Sequence, residues 1–220
     1  PRVNPDTFRL RIDGLVERPM TLDLERLRAL PRESRTVTME CAGNGRATLV
    51  PRPRTQAWVL GAVGTSTWTG TRLATLLEAV GIAEEAVDVV FTGLDRGIEG
   101  DIEQDYARSL PVGEALRGDA LLAWELDGVP LPPQHGFPLR LIVPGWYGMA
   151  SVKWLTRITA VAEPFRGYYQ VQAYCARQHP EEPGEPLTRM RPRALMIPPG
   201  IAEFPGRRRF VDRGPHRLEG

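Results

Sequence analysis

The chain has 220 residues, of which 28 are basic and 27 acidic. This length can bury a sizeable core in one domain or in one and a half. The nearly balanced charge gives no overall indication of a nucleic-acid or membrane partner. Two cysteines, Cys41 and Cys175, make no disulfide framework, and their spacing matches no zinc pattern. No run approaches the roughly 20 apolar residues of a spanning helix.

The first part of the chain is predicted to alternate short strands and helices. Residues 8–16 alternate apolar and charged side chains, which is typical of a half-exposed strand. A short helix is predicted over residues 23–30 and an amphipathic helix over residues 73–80, the latter ended by a glycine. Between them, residues 58–68 contain two glycines and are predicted to be irregular. Residues 87–92 form a continuous apolar run, as in a buried strand.

The second part continues with strands and one more helix. We predict a strand over residues 106–110, a helix over 111–116 and a strand over 121–126 that ends in an Asp-Gly hairpin turn. The composition shifts towards proline, arginine and glutamate after residue 163. A strand predicted over residues 191–197 indicates that a second domain begins near Leu187.

Cys41 lies between a predicted strand and a predicted turn. Residues 36–39 are β-branched and alternate, whereas Gly43 and Gly45 tolerate positive φ, so the thiol is expected at a strand end. The thiolate is the form that binds metals, and a cation such as Arg46 favours that form. Taken alone, Cys41 is either a buried inert thiol or a ligand of a soft metal.

A second cluster of candidate residues surrounds a predicted strand–loop–strand unit over residues 135–155. It contains His135, Arg140 and Lys153, the only lysine of the chain. These residue types can hold a phosphate and a polar heterocycle. The alternative is that His135 is structural and the two cations are ordinary surface charges. No glycine-rich phosphate-binding motif competes for this role.

The segment from Cys41 to Arg46 resembles the Cys-Ala-Gly-Asn-x-Arg segment of the sulfite oxidase family. The resemblance extends over nearly the whole chain. It includes the segments Gly93-Leu94-Asp95, Tyr106-x-x-Ser109-Leu110-Pro111, Asp127-Gly128-x-Pro130-Leu131-Pro132, His135-Gly136-Phe137-Pro138, Val143-Pro144-Gly145 and Val152-Lys153-Trp154-Leu155.

This resemblance implies an α+β fold of short mixed sheets and few helices around a molybdopterin cofactor. Residues 1–186 then form the molybdopterin-binding oxidoreductase domain. Residues 187–220 are expected to be the truncated start of an immunoglobulin-like dimerisation domain, so the full-length protein is expected to be a homodimer. The bacterial type of the family leaves the compartment open between periplasm and cytoplasm.

The resemblance also implies roles for individual residues. Cys41 is expected to ligate molybdenum beside the two sulfurs of the pterin dithiolene, which suits soft sulfur ligands. Arg46 is expected to line an oxyanion pocket, and Tyr174 matches the family's active-site tyrosine more loosely, with a packed aromatic as its alternative. The positions that match pterin- and phosphate-contacting residues are Asp95, His135, Arg140, Ser151, Val152 and Lys153.

The implied reaction is the oxidation of sulfite to sulfate by oxygen-atom transfer at molybdenum, with no haem in this chain and a separate electron acceptor such as a c-type cytochrome. The alternatives are a nitrate or sulfoxide reductase on the same scaffold, or a non-catalytic module that retains the fold. Two pocket arginines of the family are expected outside the chain. Gly45 replaces the arginine that the animal enzymes have before Arg46.

Overall fold

The computed structural model describes residues 1–51, 53, 58–99, 101–177, 179, 181–192, 199–202 and 208–218. Over these residues it contains the following strands: β1 (Leu10–Gly14), β2 (Met20–Leu22), β3 (Glu33–Glu40), β4 (Val63–Arg72), β5 (Asp88–Glu99), β6 (Ile102–Pro111), β7 (Leu121–Leu126), β8 (Val129–Pro130), β9 (Arg140–Ile142), β10 (Leu155–Val161), β11 (Cys175–Ala176), β12 (Glu185–Pro186), β13 (Ile201–Ala202) and β14 (Arg209–Phe210). The α-helices are α1 (Leu24–Arg28), α2 (Leu73–Val80) and α3 (Val112–Leu116).

Two five-stranded sheets form the framework of the first compact unit, residues 1–190. One sheet has the order β2-β1-β10-β5-β6, and only the β1–β10 pair in it is parallel. The other has the order β3-β4-β7-β8, with β9 paired to β7. Residues 191–220 form a second unit, in which β13 and β14 pair antiparallel.

Apolar side chains from both sheets and all three helices make one large core, and a smaller one lies around Trp68 on β4. Helix α2 contributes five buried residues, and its C-cap Gly81 has a φ of 68°. Asp23 caps the N-terminus of α1 by accepting from the Arg26 N–H at 2.9 Å. The mixed sheets and short helices confirm the predicted α+β class. Among the described residues, no helix is long and apolar enough to cross a membrane.

The prediction of irregular structure over residues 58–68 is wrong from Val63 onwards, because β4 begins there. Serine and threonine hydroxyls of β3 and β4 face each other in three cross-strand pairs, 2.7–3.0 Å apart. Such cross-strand pairs each contribute roughly 0.2–1 kcal/mol to the sheet and join β4 to β3. The strand predicted to close at residue 92 also continues, through a register shift between Thr92 and Arg96, to Glu99. The strand predicted over 191–197 lies mostly outside the described residues.

Asp13 anchors the parallel β1–β10 pair. Its carboxylate accepts from Thr159 at 2.9 Å and from Arg157 at 3.1 Å, and Arg11 lies 2.6 Å away. Burial alone raises the pKa of Asp13, but the hydrogen bonds from Arg157 and Thr159 and the two positive charges outweigh it, so the pKa is lowered. The charged carboxylate is therefore the form that stabilises the fold.

We expect Asp13→Asn to lower the free energy of unfolding by about 1–2 kcal/mol at pH 7. Because the pKa of Asp13 is lower in the folded state than its unfolded-state value of about 3.9, the charged carboxylate stabilises the fold fully above that value. This stabilisation is lost as the pH falls through the folded-state pKa. The difference between wild type and variant should therefore shrink below about pH 4. Denaturant unfolding at pH 7 and pH 3 measures it, with exposed Asp6→Asn as the control. An equal difference at both pH values would contradict the assignment.

Candidate active site

Cys41 directly follows β3, on a turn that the backbone fixes tightly. Its N–H donates to the Ala62 carbonyl at 2.9 Å, and its carbonyl accepts from the Asn44 N–H at 2.9 Å. The Gly43 N–H donates to the Cys41 sulfur at 3.4 Å. Gly45, with a φ of 81°, adopts the left-handed conformation that reverses the chain into a 3₁₀ turn at Arg46. The half-buried thiol is thus held at a strand end, as predicted.

Asn44 is the internal brace of this turn and is only 4% exposed. Its amide nitrogen donates to Glu40 at 3.0 Å, and its oxygen accepts from the Ala62 N–H at 3.1 Å. A buried amide that satisfies both polar ends holds a loop rigid. Because these bonds do not involve the sulfur, the position of Cys41 depends on the turn and not on a ligand.

Cys41 opens into a cavity of about 370 Å³, here called the inner cavity. Its lining combines the thiol with charged and polar side chains from both sheets and the connecting loops. The lining residues are Met39, Glu40, Cys41, Ala42, Asp95, Tyr106, Arg140, Gly148, Met149, Ser151, Lys153 and Tyr174. The structure therefore brings together Cys41, Asp95, Arg140, Ser151, Lys153 and Tyr174, which lie far apart in the sequence.

Arg140 is the organising cation of the inner cavity. It is 6% exposed, and its two Nη atoms donate to the carbonyls of His135 at 3.0 Å and Ser151 at 3.1 Å. The guanidinium also lies 4.8 Å from the centre of the Trp68 ring, a cation–π contact. Burial lowers its pKa to about 10. The buried Nε has no hydrogen-bond partner among the described residues.

Lys153 supplies a second cation that solvent can still reach. Its Nζ donates to the Gln134 carbonyl at 3.2 Å and lies 4.2 Å above the Trp154 ring. Burial, and then the positive charge of Arg140, lower the pKa of Lys153, while the Asp95 carboxylate opposes this. The lining of the inner cavity thus contains two cations, Arg140 and Lys153, and two carboxylates, Glu40 and Asp95.

Asp95 lies on β5 within the register shift between Thr92 and Arg96, and it lines the inner cavity together with Arg140 and Lys153. Its Oδ1 is buried without a hydrogen-bond partner in the part of the chain that the structure describes. Burial raises the pKa of Asp95, and its own backbone N–H and the charge of Lys153 partly offset this. A buried acceptor without a partner is costly. Together with the unpaired Nε of Arg140, it marks polar positions that a bound molecule can satisfy.

The three remaining predicted cofactor residues, Ser151, Val152 and His135, lie in different environments. Ser151 lines the inner cavity, and its hydroxyl accepts from the Val143 N–H at 3.1 Å. Val152 is fully buried in the core, and its carbonyl accepts from the Leu141 N–H at 2.8 Å. His135 is exposed on a 3₁₀ turn, and burial together with the charges of Arg140 and Lys153 lowers its pKa. Neither Val152 nor His135 lines the inner cavity.

Tyr174 and Cys41 also line a second cavity of about 590 Å³, here called the outer cavity, which adds Arg46, Glu99 and Arg177. Burial raises the pKa of Tyr174 most, the nearby Cys41 sulfur raises it further, and Arg108 opposes both. Arg46 is half-buried and lines the outer cavity but not the inner one. The predicted catalytic residues therefore share one place, with Cys41 and Tyr174 at the junction of the cavities.

Three further residues in or next to these cavities were not predicted individually. Tyr106 lines the inner cavity and donates its hydroxyl to the Met149 carbonyl at 2.7 Å. Tyr169 stacks on it with ring centres 4.7 Å apart, and Arg108 lies beneath Tyr174. The alternation of β6 places Tyr106, Arg108 and Leu110 on one face, which the sequence pattern does indicate, but it does not indicate the backbone carbonyls that Arg108 contacts.

Comparison with known proteins identifies the family. The oxidoreductase molybdopterin-binding domain family matches residues 1–169. This chain belongs to that family. It is 38% identical over 179 residues to mitochondrial sulfite oxidase of Drosophila melanogaster, covering 79% of this chain and 30% of the fly protein. It is also 35% identical over 176 residues to an NADH nitrate reductase of Ulva prolifera, covering 77% of this chain and 20% of that enzyme.

Among solved structures, the chain resembles the sulfane dehydrogenase SoxCD of Paracoccus pantotrophus, with a TM-score of 0.71 and 26% identity over 86% of this chain and 46% of that one. This confirms the predicted fold of the sulfite oxidase family. The described chain spans less than half of each of these relatives, so the activity of the whole protein is a matter for proposal.

The residues present fit the cofactor of this molybdopterin-binding family. The inner cavity offers one thiol for a soft metal, a buried donor and a buried acceptor without partners for a polar heterocycle, and an accessible amine for a phosphate. Among the described residues, no group of three or more His, Cys, Asp and Glu side chains gathers elsewhere into a metal site.

Proposed function

We propose that this chain is the molybdenum-cofactor domain of an enzyme that oxidises sulfite to sulfate by oxygen-atom transfer. The observation that carries the proposal is the position of Cys41, which lines both the inner cavity, where Arg140 and Lys153 lie, and the outer cavity, where Arg46 lies. When bound, the cofactor supplies the redox and oxygen-transfer chemistry, as cofactors generally do. The protein supplies binding, charge and orientation.

On the cofactor side, Cys41 is the proposed metal ligand and Lys153 the proposed phosphate contact. Both Nη atoms of Arg140 are already bonded to carbonyls, so Arg140 contributes its charge and its one unpaired Nε. Asp95 supplies the complementary acceptor. His135 and Val152 act indirectly, since His135 offers its carbonyl to Arg140 and Val152 holds the backbone between Ser151 and Lys153.

On the substrate side, Arg46 is the proposed anion contact. A guanidinium suits the several oxygens of a pyramidal or tetrahedral oxyanion, and a positive side chain attracts a dianionic substrate into the cavity. Tyr174 lies at the junction of the two cavities, and its raised pKa keeps the phenol protonated at neutral pH. Its hydroxyl can therefore donate a hydrogen bond to the oxygen of the reacting group.

The test of this function is sulfite-dependent reduction of ferricyanide or cytochrome c by the full-length protein with its cofactor. We expect sulfite to be oxidised, and we expect no reduction of nitrate or of a sulfoxide by a reduced dye. Arg46→Gln should raise KM for sulfite at least ~10-fold, the equivalent of one lost charge-assisted hydrogen bond. Exposed Arg28→Gln on α1 is the matched control. Unchanged KM in the Arg46 variant would remove Arg46 from the substrate site.

The second candidate is nitrate reduction on the same scaffold. It is favoured by the 35% identity to the Ulva prolifera enzyme. An arginine binds nitrate as readily as sulfite, so Arg46 does not separate the two anions. Reduction of nitrate by a reduced dye, with no turnover of sulfite, would move the assignment to this alternative.

The proposed cofactor site also predicts a chemical footprint, because Lys153 is the only lysine of the chain. We expect an amine-specific reagent to modify Lys153 in the cofactor-free protein and to modify it much more slowly in the loaded protein. Peptide mass spectrometry of the two forms measures the difference. Equal modification rates would exclude Lys153 from the cofactor site, whatever the activity.

The partners follow from the same proposal. Sulfite oxidation releases a pair of electrons, so an acceptor is needed, and we propose a separate redox protein such as a c-type cytochrome. We also propose that residues 187–220 begin an immunoglobulin-like module through which the full-length protein forms a homodimer.

A further inference from the structure

Arg108 is a buried cation that the proposed reaction does not use directly. It lies on β6 with 1% exposure, and it is the largest of the fully buried side chains. A buried charge is expensive unless it is well paired. No carboxylate forms an ion pair with it among the residues that the structure describes. Its guanidinium must therefore be retained for the contacts that it makes with backbone and rings.

Those contacts join β6 to the segment that carries Tyr174. One Nη atom donates to the Tyr169 carbonyl, and the other donates to the Leu187 carbonyl at 2.8 Å. Leu187 in turn donates its N–H to the carbonyl of Tyr174 at 2.9 Å. Arg108 is thus linked to the backbone of Tyr174 through Leu187. It also binds the short π-helix, residues 169–173, that directly precedes Tyr174.

The side chain of Arg108 also lies close to the aromatic ring of Tyr174. The Arg108 guanidinium lies 5.9 Å from the centre of the Tyr174 ring, within the range of a cation–π contact. Tyr169, whose carbonyl Arg108 binds, lies between Tyr106 and Tyr174, with ring centres 4.7 and 6.5 Å away. Backbone and ring of Tyr174 therefore both depend on the same guanidinium.

We propose that Arg108 is a positioning residue that holds Tyr174 at the junction of the two cavities. This rests on the proposed function in so far as Tyr174 contacts the reacting group. An arginine is required because its planar fork donates to two carbonyls at a fixed angle, whereas a lysine offers a single point charge. The segments 169–176 and 185–187 form the supported element, since β11 and β12 pair with each other there.

The first test is Arg108→Lys in the full-length protein with its cofactor, followed by amide hydrogen exchange and by steady-state kinetics. We expect faster exchange in residues 169–176 and 185–187, and a kcat lowered ~10- to ~100-fold with a smaller change in KM, because a small displacement of a group at the reacting centre is costly. Arg157→Lys is the matched control. It also breaks an arginine contact, with Asp13, but should leave exchange in these segments and kcat unchanged.

The second test is a double-mutant cycle with Tyr174→Phe. If Arg108 acts through Tyr174, the loss from Arg108→Lys should largely disappear in the Tyr174→Phe background, whereas independent effects multiply. Leu187→Pro removes the N–H that reaches Tyr174 and should reproduce the kinetic defect with Arg108 intact, should the arginine variant not fold.

Unchanged exchange together with unchanged kcat in Arg108→Lys, or multiplicative losses in the cycle, would overturn the proposal. A wild-type protein without sulfite turnover would instead refute the proposed function. In that case the exchange experiment alone still decides whether Arg108 holds the segment of Tyr174.

Discussion

Replacing Cys41 by serine is expected to abolish sulfite oxidation while the domain stays folded. Changes that only orient a metal ligand commonly cost ~10- to ~100-fold in affinity or activity, so loss of the ligand itself should cost more. The turn around Cys41 is held by backbone bonds and by Asn44, and the hydrogen bond to the sulfur among the described residues comes from the Gly43 N–H. Serine is close in size, so the thermal transition should move little.

The measurement is the specific activity per molybdenum, with circular dichroism as the test of folding. Cys175→Ser is the matched control, because Cys175 lines the outer cavity but not the inner one, and its sulfur donates to the Gln172 carbonyl at 3.3 Å. This control should keep its activity within about twofold. Full activity of Cys41→Ser would refute the role of Cys41 as a metal ligand.

Replacing Arg140 by methionine is expected to empty the cofactor site and to destabilise the domain. The variant leaves the part-buried carbonyl of His135 and the buried carbonyl of Ser151 without their donor. Each unsatisfied carbonyl costs about 1–3 kcal/mol, but the burial of a charge is relieved at the same time, so we expect a net loss of about 2 kcal/mol. The cofactor also loses the positive charge and the Nε donor that has no partner among the described residues.

Molybdenum content after purification and denaturant unfolding of the cofactor-free protein measure the two effects separately. Arg140→Lys keeps the charge and at most one of the carbonyl bonds, so it should retain more molybdenum than Arg140→Met. Wild-type molybdenum content in both variants would show that Arg140 only braces the loops.

Local signals in the sequence predicted much of the fold. Helix α2 has the predicted bounds, 73–80, because an amphipathic pattern and a terminal glycine define both of its ends. Strand β4 was missed because its glycines predict a loop, whereas its stability comes from pairing with β3, which lies more than twenty residues away in the sequence. Pairing of this kind is decided by tertiary context.

In the candidate site, too, some features follow from local sequence and others depend on tertiary contacts. The strand-to-turn position of Cys41 follows from the residues beside it, and the grouping of Cys41 with Asp95, Arg140 and Lys153 followed from a family resemblance. The contribution of Arg108 could not be predicted, because its partners are carbonyls at positions 169 and 187 and carbonyls carry no sequence signal. Likewise, the resemblance grouped Val152 with Ser151 and Lys153, but the side chain of Val152 is buried in the core while its two neighbours line the inner cavity.

The central claim is that Cys41 binds the molybdenum of a cofactor held in the inner cavity. X-ray absorption at the molybdenum edge, on wild type and Cys41→Ser with metal content measured on the same samples, tests it most directly. We expect stoichiometric molybdenum in the wild type and one fewer sulfur neighbour in the variant. Absence of molybdenum from the wild type, or the same number of sulfur neighbours in both proteins, would contradict the claim.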